Sequence, residues 1–128
     1  MDNIELRTVR RDDLDMLFRW RNLPYLVALS TDKRKVTRDE HIVWFEEVLS
    51  NKNRKMFILM RFGKPIGQLR FDKIKGGVSN WTVSIYLLEG HTGQGLGSSA
   101  LIEGCRLMAR SGAKKITAFI RVENKISK

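Results

Sequence analysis

Short alternating blocks of apolar and polar residues run along the chain, and their spacing predicts both strands and helices. Residues 4–10 alternate and predict a first strand. Apolar residues then recur at helical spacing after Asp12. We expect Asp12 to cap a helix that ends before Pro24. The chain is therefore predicted to begin with a strand and a helix.

A second helix is predicted from a capping signal. Thr37 is followed three residues later by Glu40, which is the spacing of a capping box. The apolar stripe that follows consists of His41, Trp44, Phe45, Val48 and Leu49. Because these residues recur every three or four positions, one face of this helix is expected to pack on a core.

Strand patterns dominate the middle of the chain. Three of them lie between residues 54 and 88, separated by glycine-containing turns at 62–65 and 76–77, and they predict an antiparallel meander. Each strand alternates apolar and polar positions or is apolar on both faces, as expected for strands of a packed sheet.

The last third of the chain predicts a loop, a helix and a strand. A glycine-rich loop at 90–97 leads into a helix over 97–111, which Gly112 ends. Residues 116–122 alternate as a last strand, and 123–128 are typical of the first turn of a further helix. No repeat or linker interrupts the 128 residues, so we predict an α+β fold in a single domain over 1–128.

The charge balance is strongly basic, with 24 Lys and Arg against 14 Asp and Glu and a net charge of +10. Such a charge attracts polyanions, either nucleic acid or a phosphorylated small ligand. The basic residues are scattered, and neither zinc-finger spacing nor an aromatic RNA-binding signature occurs. We therefore interpret most of them as a solvated surface.

Cysteine usage and the first residues indicate the compartment. Cys105 is the only cysteine, so no internal disulfide can form and a cytoplasmic location is expected. The acidic and polar first five residues do not fit a secretory signal. No apolar run approaches the ~20 residues that span a bilayer.

The glycine loop carries the strongest chemical signal. Gly93, Gly95 and Gly97 stand at alternate positions, which lets the backbone turn tightly and approach a ligand closely. The helix start points N–H groups at that ligand, and Ser98 and Ser99 add hydroxyl donors. The loop and helix together predict a pyrophosphate cradle.

Other phosphate-binding loops fit less well. A nucleotide P-loop ends in Gly-Lys-Ser/Thr, and this loop contains no lysine. The dinucleotide fingerprint is G-x-G-x-x-G after an early strand, whereas this loop is G-x-G-x-G after antiparallel strands. A glycine-rich turn without a ligand stays open as an alternative.

The run from Ile85 to Leu101, followed by residues 112–116 and 122–124, resembles the GNAT superfamily of N-acetyltransferases. The order of strand, two helices, three antiparallel strands, helix and strand is similar over the whole chain. The resemblance implies an acyl-CoA N-acyltransferase fold, with a mostly antiparallel mixed sheet flanked by helices.

The signature of that superfamily is Arg/Gln-x-x-Gly-x-Gly/Ala. It matches here at Gly95 and Gly97, while Thr92 stands at its first position. The side-chain contact to phosphate at that position is therefore lost or replaced, whereas backbone donors do not depend on it.

The resemblance implies where acetyl-CoA, the co-substrate, would bind. Ile85, Tyr86 and Leu87 would bond the pantetheine chain through their backbone, and Asn124 would touch the co-substrate after the last strand. The pyrophosphate would lie against Thr92, Gly93, Gln94, Gly95, Leu96, Gly97, Ser98 and Ser99. The alternatives are an ordinary strand position for Tyr86 and a capping role for Asn124.

The first half resembles a narrower group through Trp20-Arg21-Asn22 and Thr37 to Phe45. This group acetylates the 4-amino group of nucleotide-linked dideoxy sugars in the pseudaminic acid pathway, and ribosomal-protein N-acetyltransferases share part of the pattern. Arg21, Asn22 and His41 would then face the acceptor amine. A half-buried packing role is the alternative for His41.

The resemblance also implies a mechanism in which a neutral amine attacks the thioester directly. Glu40 and His41 are the candidate bases, with a water chain as the alternative. The N–H of Leu87 would stabilise the oxyanion. Cys105 is expected on the buried face of its helix, so a thiol nucleophile is not predicted.

In that family the general acid is usually a tyrosine in the helix after the fifth strand, and this chain ends at Lys128 inside that helix. We therefore expect the last helix and the last two strands to be missing, and the open sheet edge to pair in a homodimer. No metal and no membrane partner are expected.

The predicted function is acetyl transfer from acetyl-CoA to a primary amine. A noncatalytic acetyl-CoA binding remnant and a basic nucleic-acid binding module are the alternatives, and the second depends on charge alone.

Overall fold

The computed structural model describes residues 4–30, 32–75, 79–91 and 95–118. The chain divides into two compact units, one formed by residues 1–8 and 53–128 and the other by residues 9–52. Within the described residues, no helix combines the length and the apolar composition needed to cross a membrane.

The larger unit is built on a sheet that has five strands within the described residues, and their order across the sheet is their order along the chain. The strands are β1 Ile4–Thr8, β2 Arg54–Arg61, β3 Lys64–Lys73, β4 Asn80–Leu87 and β5 Lys115–Ala118. The first four pair antiparallel in sequence order, and β5 lies parallel to β4. The predicted meander is confirmed, while β1 ends two residues before the predicted boundary.

The hairpin between β2 and β3 turns at Phe62 and Gly63. Both residues have positive φ, 50° and 78° respectively. Two such residues in sequence match the twist of the flanking strands in a tight hairpin. The predicted turn at 62–65 is therefore confirmed, with Pro65 already inside β3 beside the register shift at Leu59 and Met60.

One helix, α4 Leu96–Arg110, packs on a face of this sheet. Its buried residues are Leu96, Ala100, Gly104 and Met108, which recur every four positions. Gly104 allows the closest approach, because a Cβ atom there would lie 2.5 Å from Cδ2 of Leu69 and 3.0 Å from Cζ of Phe71. The small residues Ala100 and Gly104 therefore let α4 lie close to the sheet.

The core of the larger unit lies between α4 and the sheet. It comprises Leu59, Ile66, Leu69, Phe71, Trp81, Val83, Leu87, Leu96, Ala100 and Met108. Leu101 packs against its margin and is only half-buried. Cys105, predicted on the buried face, is also only partly buried.

The smaller unit contains three α-helices within the described residues: α1 Leu14–Arg21, α2 Pro24–Leu29 and α3 Arg38–Ser50. The prediction that Pro24 only ends a helix is incomplete, because it also begins α2. Proline suits the first helical position, where its missing N–H needs no partner.

The prediction of Asp12 as a helix cap is wrong. A 3-10 turn over Arg11–Asp13 precedes α1, and this turn moves the junction to Asp13. Oδ2 of Asp13 accepts a hydrogen bond from the N–H of Arg10 at 2.9 Å. The extra turn therefore places a different carboxylate at the start of the helical segment.

The capping box of α3 is confirmed. The N–H of Glu40 donates to Oγ1 of Thr37 at 3.1 Å, and the N–H of Thr37 donates to Oε1 of Glu40 at 2.8 Å. Two amides of the first turn are thereby satisfied by side chains.

We expect a valine at position 104 to lower the free energy of unfolding by about 1–3 kcal/mol, because its side chain must displace Leu69 and Phe71 from a packed core. Urea unfolding measures the change. The matched control is Ala109→Val at an exposed position of the same helix, which should cost only about 0.5 kcal/mol of helix propensity. Equal losses in the two variants would contradict the close seating of α4.

Candidate functional site

At the end of β4, every second residue directs its backbone N–H and C=O groups away from β3. The N–H of Leu88 donates to the carbonyl of Ile66 at 2.8 Å. Hydrogen-bonded pairs alternate along an antiparallel ladder, so every second residue of β4 faces β3. Counting back from Leu88, the N–H and C=O groups of Ile85 and Leu87 face the opposite edge of the strand.

β5 covers only the first half of that edge within the described residues. Its register runs from Asn80 opposite Lys115 to Val83 opposite Ala118. In the part of the chain that the structure describes, no strand pairs with β4 beyond Val83 on this side. The N–H and C=O groups of Ile85 and Leu87 lie on this edge, in a geometry that suits hydrogen bonds to an extended chain.

The start of α4 supplies a second set of backbone donors. Gly95 precedes the helix in the left-handed region, with φ 76° and ψ 2°, and no side chain caps the helix. The first turn contains no acidic residue. The amides of Leu96, Gly97 and Ser98 have no intrahelical acceptor and lie at the positive end of the helix dipole, which favours an anion.

These two sets of donors adjoin each other. A Cβ atom at Gly97 would lie 4.0 Å from Cδ1 of Leu87. Leu96 is fully buried, which anchors the first turn of α4 in the core. The first turn of α4 therefore lies beside the end of β4.

The backbone at this turn leaves room for a ligand. A Cβ atom at Gly95 would meet no atom within 4 Å, and one at Gly97 would meet only the Leu87 side chain. A diphosphate attached to an extended chain fits this arrangement, because the helix amides suit the phosphates and the strand edge suits the chain.

The side chain of Tyr86 lies on the face of the sheet opposite α4. Its hydroxyl donates to Oε1 of Gln68 at 3.0 Å, directly across the strand pair. Gln68 was not among the predicted site residues. Its position as a polar residue within a mostly apolar strand pattern could have indicated it. Gly67 was also missed, and a Cβ atom there would lie 2.3 Å from the carbonyl oxygen of Tyr86.

Comparison with known proteins agrees with this geometry. Residues 3–128 match the acetyltransferase (GNAT) domain. The chain belongs to the GNAT acetyltransferase family. No curated protein matches the chain by sequence.

Several solved structures share the fold of this acetyltransferase. The spermidine N-acetyltransferase from Vibrio cholerae, solved with CoA and spermine, has 17% identity and a TM-score of 0.81, over 97% of this chain and 75% of that one. The ribosomal L7/L12 alpha-N-protein acetyltransferase RimL, solved with coenzyme A, has 21% identity and a TM-score of 0.79, over 97% and 74%. An N-acetyltransferase from Staphylococcus aureus Mu50 has 22% identity and a TM-score of 0.76, over 98% and 78%.

The predicted GNAT fold and the predicted enzyme class, an acetyl-CoA-dependent N-acetyltransferase, are therefore confirmed. Some predicted site residues lie outside the described residues, namely Thr92, Gly93, Gln94 and Asn124. Of the two predicted serines, Ser98 is exposed and Ser99 is half-buried at the start of α4. Among the described residues, no group of three or more His, Cys, Asp or Glu side chains could hold a metal ion.

Two predicted acceptor residues of the acetyltransferase bind the backbone of the segment between α2 and α3. Nδ2 of Asn22 donates to the carbonyl of Val36 at 3.0 Å, and the N–H of Val36 donates to Oδ1 of Asn22 at 2.8 Å. Nη1 of Arg21 donates to the carbonyl of Arg34 at 3.2 Å. Both side chains therefore hold this segment in place, and these contacts do not favour a role for them in binding the acceptor amine.

Glu40 is committed to structural contacts. Its carboxylate accepts from Arg34 at 2.9 Å and from the N–H of Thr37. These hydrogen bonds, that of Arg34 first, lower the pKa of Glu40 to about 2. Since a carboxylate of such low pKa holds a proton poorly, this environment does not support Glu40 as a general base.

His41 is buried inside the smaller unit. Its ring lies 5.3 Å from that of Phe18 and 5.5 Å from that of Trp44, between centroids. Nε2 lies 3.0 Å from the carbonyl oxygen of Leu14, so this nitrogen carries a proton and donates. Burial lowers the pKa of His41 and keeps the ring neutral. The packing alternative fits these contacts better than a role as a base.

We expect the stability of the protein to fall as the pH drops from 7.5 to 5.5, in part because of His41. Burial lowers the pKa of folded His41 below the unfolded value of about 6.5, so below that pH the unfolded chain binds the proton more readily. Urea unfolding at both pH values should show that His41→Gln loses less free energy of unfolding between pH 7.5 and 5.5 than the wild type does.

The matched control is His91→Gln, which retains His41 and should therefore keep the pH response of the wild type. A His41→Gln variant with the full wild-type response would contradict the assignment of His41 as a buried neutral ring.

Proposed function

We propose that this acetyltransferase moves the acetyl group of acetyl-CoA to the 4-amino group of a nucleotide-linked amino sugar. The observation that carries the proposal is the position of the first turn of α4 beside the end of β4 at Leu87. One end of this site suits a diphosphate and the other suits an extended chain with a reactive acyl end.

The backbone of this chain would hold the co-substrate. The amides of Leu96, Gly97 and Ser98 would bind its diphosphate, and the edge groups of Ile85 and Leu87 would bond the pantetheine. Backbone donors are fixed by the helix and the sheet, so they bind without losing side-chain entropy.

The same geometry explains how the chain would promote acetyl transfer. The amine nitrogen forms a bond to the carbonyl carbon of the thioester, the carbon–sulfur bond breaks, and the sulfur leaves as the thiolate. The N–H of Leu87 would donate to the carbonyl oxygen, where negative charge develops during attack.

The attacking amine must lose a proton, because an ammonium group has no lone pair. Since Glu40 and His41 are both committed to structural contacts, a chain of water molecules that carries this proton to solvent suits the site better. The departing thiolate would take up a proton from solvent in the same way.

The choice of acceptor is supported by charge. A net charge of +10 favours an acceptor with phosphate groups. The N-terminus of a ribosomal protein is the second candidate acceptor, because the fold is shared with an enzyme of that activity.

A charge placed at the start of α4 tests the proposed binding site. Ser98→Asp should stabilise the helix, because an acidic residue in the first turn interacts favourably with the dipole. The same carboxylate should repel the diphosphate and weaken acetyl-CoA binding at least tenfold, or about 1.4 kcal/mol. Calorimetric titration and a thermal melt measure the two opposite effects.

The matched control is Ala109→Asp, which makes the same charge change on the same helix about 16 Å away. It should leave acetyl-CoA affinity within about twofold of the wild type. The proposal fails if Ser98→Asp binds acetyl-CoA as tightly as the wild type does.

Release of coenzyme A separates the candidate acceptors. A UDP-linked 4-amino sugar should be acetylated faster than the same sugar without the nucleotide and faster than a peptide with a free N-terminus. Binding of acetyl-CoA without release in the presence of any of these amines would favour the noncatalytic alternative. The homodimer and the cytoplasmic location stay predictions.

A further inference from the structure

We propose that one end of the sheet binds the phosphate backbone of a nucleic acid through a cluster of exposed lysines. This basic end consists of Lys55, Lys73, Lys75, Lys114 and Lys115, all of which are exposed and belong to the larger unit. It is independent of the proposed function, because it lies at the other end of β4 from the start of α4.

Backbone hydrogen bonds bring these lysines together from three distant parts of the sequence. The N–H of Lys73 donates to the carbonyl of Asn53 at 2.8 Å, which joins the end of β3 to the start of β2. Two further backbone bonds join residues 79–80, at the start of β4, to Ile74 and to Lys114. The basic end is therefore where the start of β2, the end of β3 and the starts of β4 and β5 meet.

The basic end is wider than one phosphate group. Neighbouring strands lie about 4.8 Å apart, so the three steps from β2 to β5 span about 14 Å. Lys55 pairs with Phe71, which places Lys55 and Lys73 diagonally across two neighbouring strands, about 7–8 Å apart. A row of cations of this width suits several phosphates of a polymer better than one small anion.

Few negative charges offset these lysines. Asp72 is the only acidic residue at the strand ends that meet here, and its carboxylate pairs with Arg54 at 3.4 Å and with Arg70 at 3.0 Å. In the part of the chain that the structure describes, no ion pair joins a carboxylate to a lysine of the basic end. Because like charges held this close repel each other, a bound polyanion would relieve a repulsion that the fold otherwise retains.

The residue types at the basic end favour a nucleic acid over a membrane surface. Ile74, 39% exposed, is the one large exposed apolar residue among the described residues of these strand ends, whereas helices that lie on membranes present a broad apolar face. Lysine ammonium groups are point charges on flexible stems and contact phosphates without a fixed geometry. We therefore expect contacts to the phosphate backbone, with strong salt dependence and little preference for sequence.

The basic end is remote from the proposed co-substrate site. β4 runs from Asn80, which pairs with Lys115, to Leu87, which lies beside the first turn of α4. Seven steps of about 3.4 Å separate the two residues, or about 24 Å in all. A nucleic acid bound at the basic end would therefore leave the start of α4 open to another ligand.

Charge reversal at the end of β3 tests this surface. Lys73→Glu should weaken binding of a fluorescein-labelled DNA duplex at least tenfold at about 0.1 M salt, and fluorescence anisotropy measures the change. It should also reduce the dependence of log K on log[salt] by a slope of about 1, because one phosphate contact is lost. Urea unfolding should show no loss of stability, since the variant relieves repulsion with Lys55.

The matched control is Lys64→Glu, which makes the same charge change at an exposed position at the other end of the same strand, about 30 Å away. It should change the affinity for the duplex less than threefold. Lys114→Glu lies outside β3 and should repeat the loss seen in Lys73→Glu, because both remove a cation from the basic end.

Equal weakening by Lys73→Glu and Lys64→Glu would overturn the inference, since binding would then follow net charge alone. A loss in Lys73→Glu that Lys114→Glu does not share would also overturn it, because it would indicate a local defect of β3. So would a wild-type chain that leaves the duplex unbound, including one that binds phosphatidylserine vesicles instead. Acetyl-CoA titration with Ser98→Asp is unaffected by these results, so the proposed function can stand or fall separately.

Discussion

The seating of α4 on β3 and β4 is the constraint on which the site depends. Gly104 lies so close to Leu69 and Phe71 that no side chain fits between them, which fixes the distance of the helix from the sheet. Leu96, fully buried, then fixes its first turn. With the first turn and the middle of the helix anchored, the position of Gly97 beside Leu87 follows from packing rather than from any contact with a ligand.

In the proposed function, recognition of the co-substrate would be a property of the backbone. The first turn of α4 offers amide groups and the edge of β4 offers both donors and acceptors. Such groups do not change when a side chain changes. The signature has Arg or Gln where this chain has Thr92, and the proposed backbone donors would not depend on that side chain.

The smaller unit shows how polar residues that suggest chemistry can serve structure. Asn22 bonds the backbone of Val36 twice, Glu40 closes a capping box, and His41 donates to Leu14 from within an aromatic cluster. Each of these groups is satisfied by a partner inside its own unit. Tyr86 and Gln68 form a similar pair in the larger unit, where the Tyr86 hydroxyl donates to the amide oxygen of Gln68.

The meander, the capping box of α3 and the helix after the glycine loop could all be predicted from the sequence, because each is set by spacing within a few residues. The sequence also indicated an anion-binding turn, since alternate glycines before a helix have a local physical meaning. Three other features became visible only in the folded chain: Gln68 bonds Tyr86, Pro24 begins a helix, and His41 is buried against Leu14. These facts depend on which distant segments pack together, and the register and packing that bring them together are not encoded in any single stretch of residues.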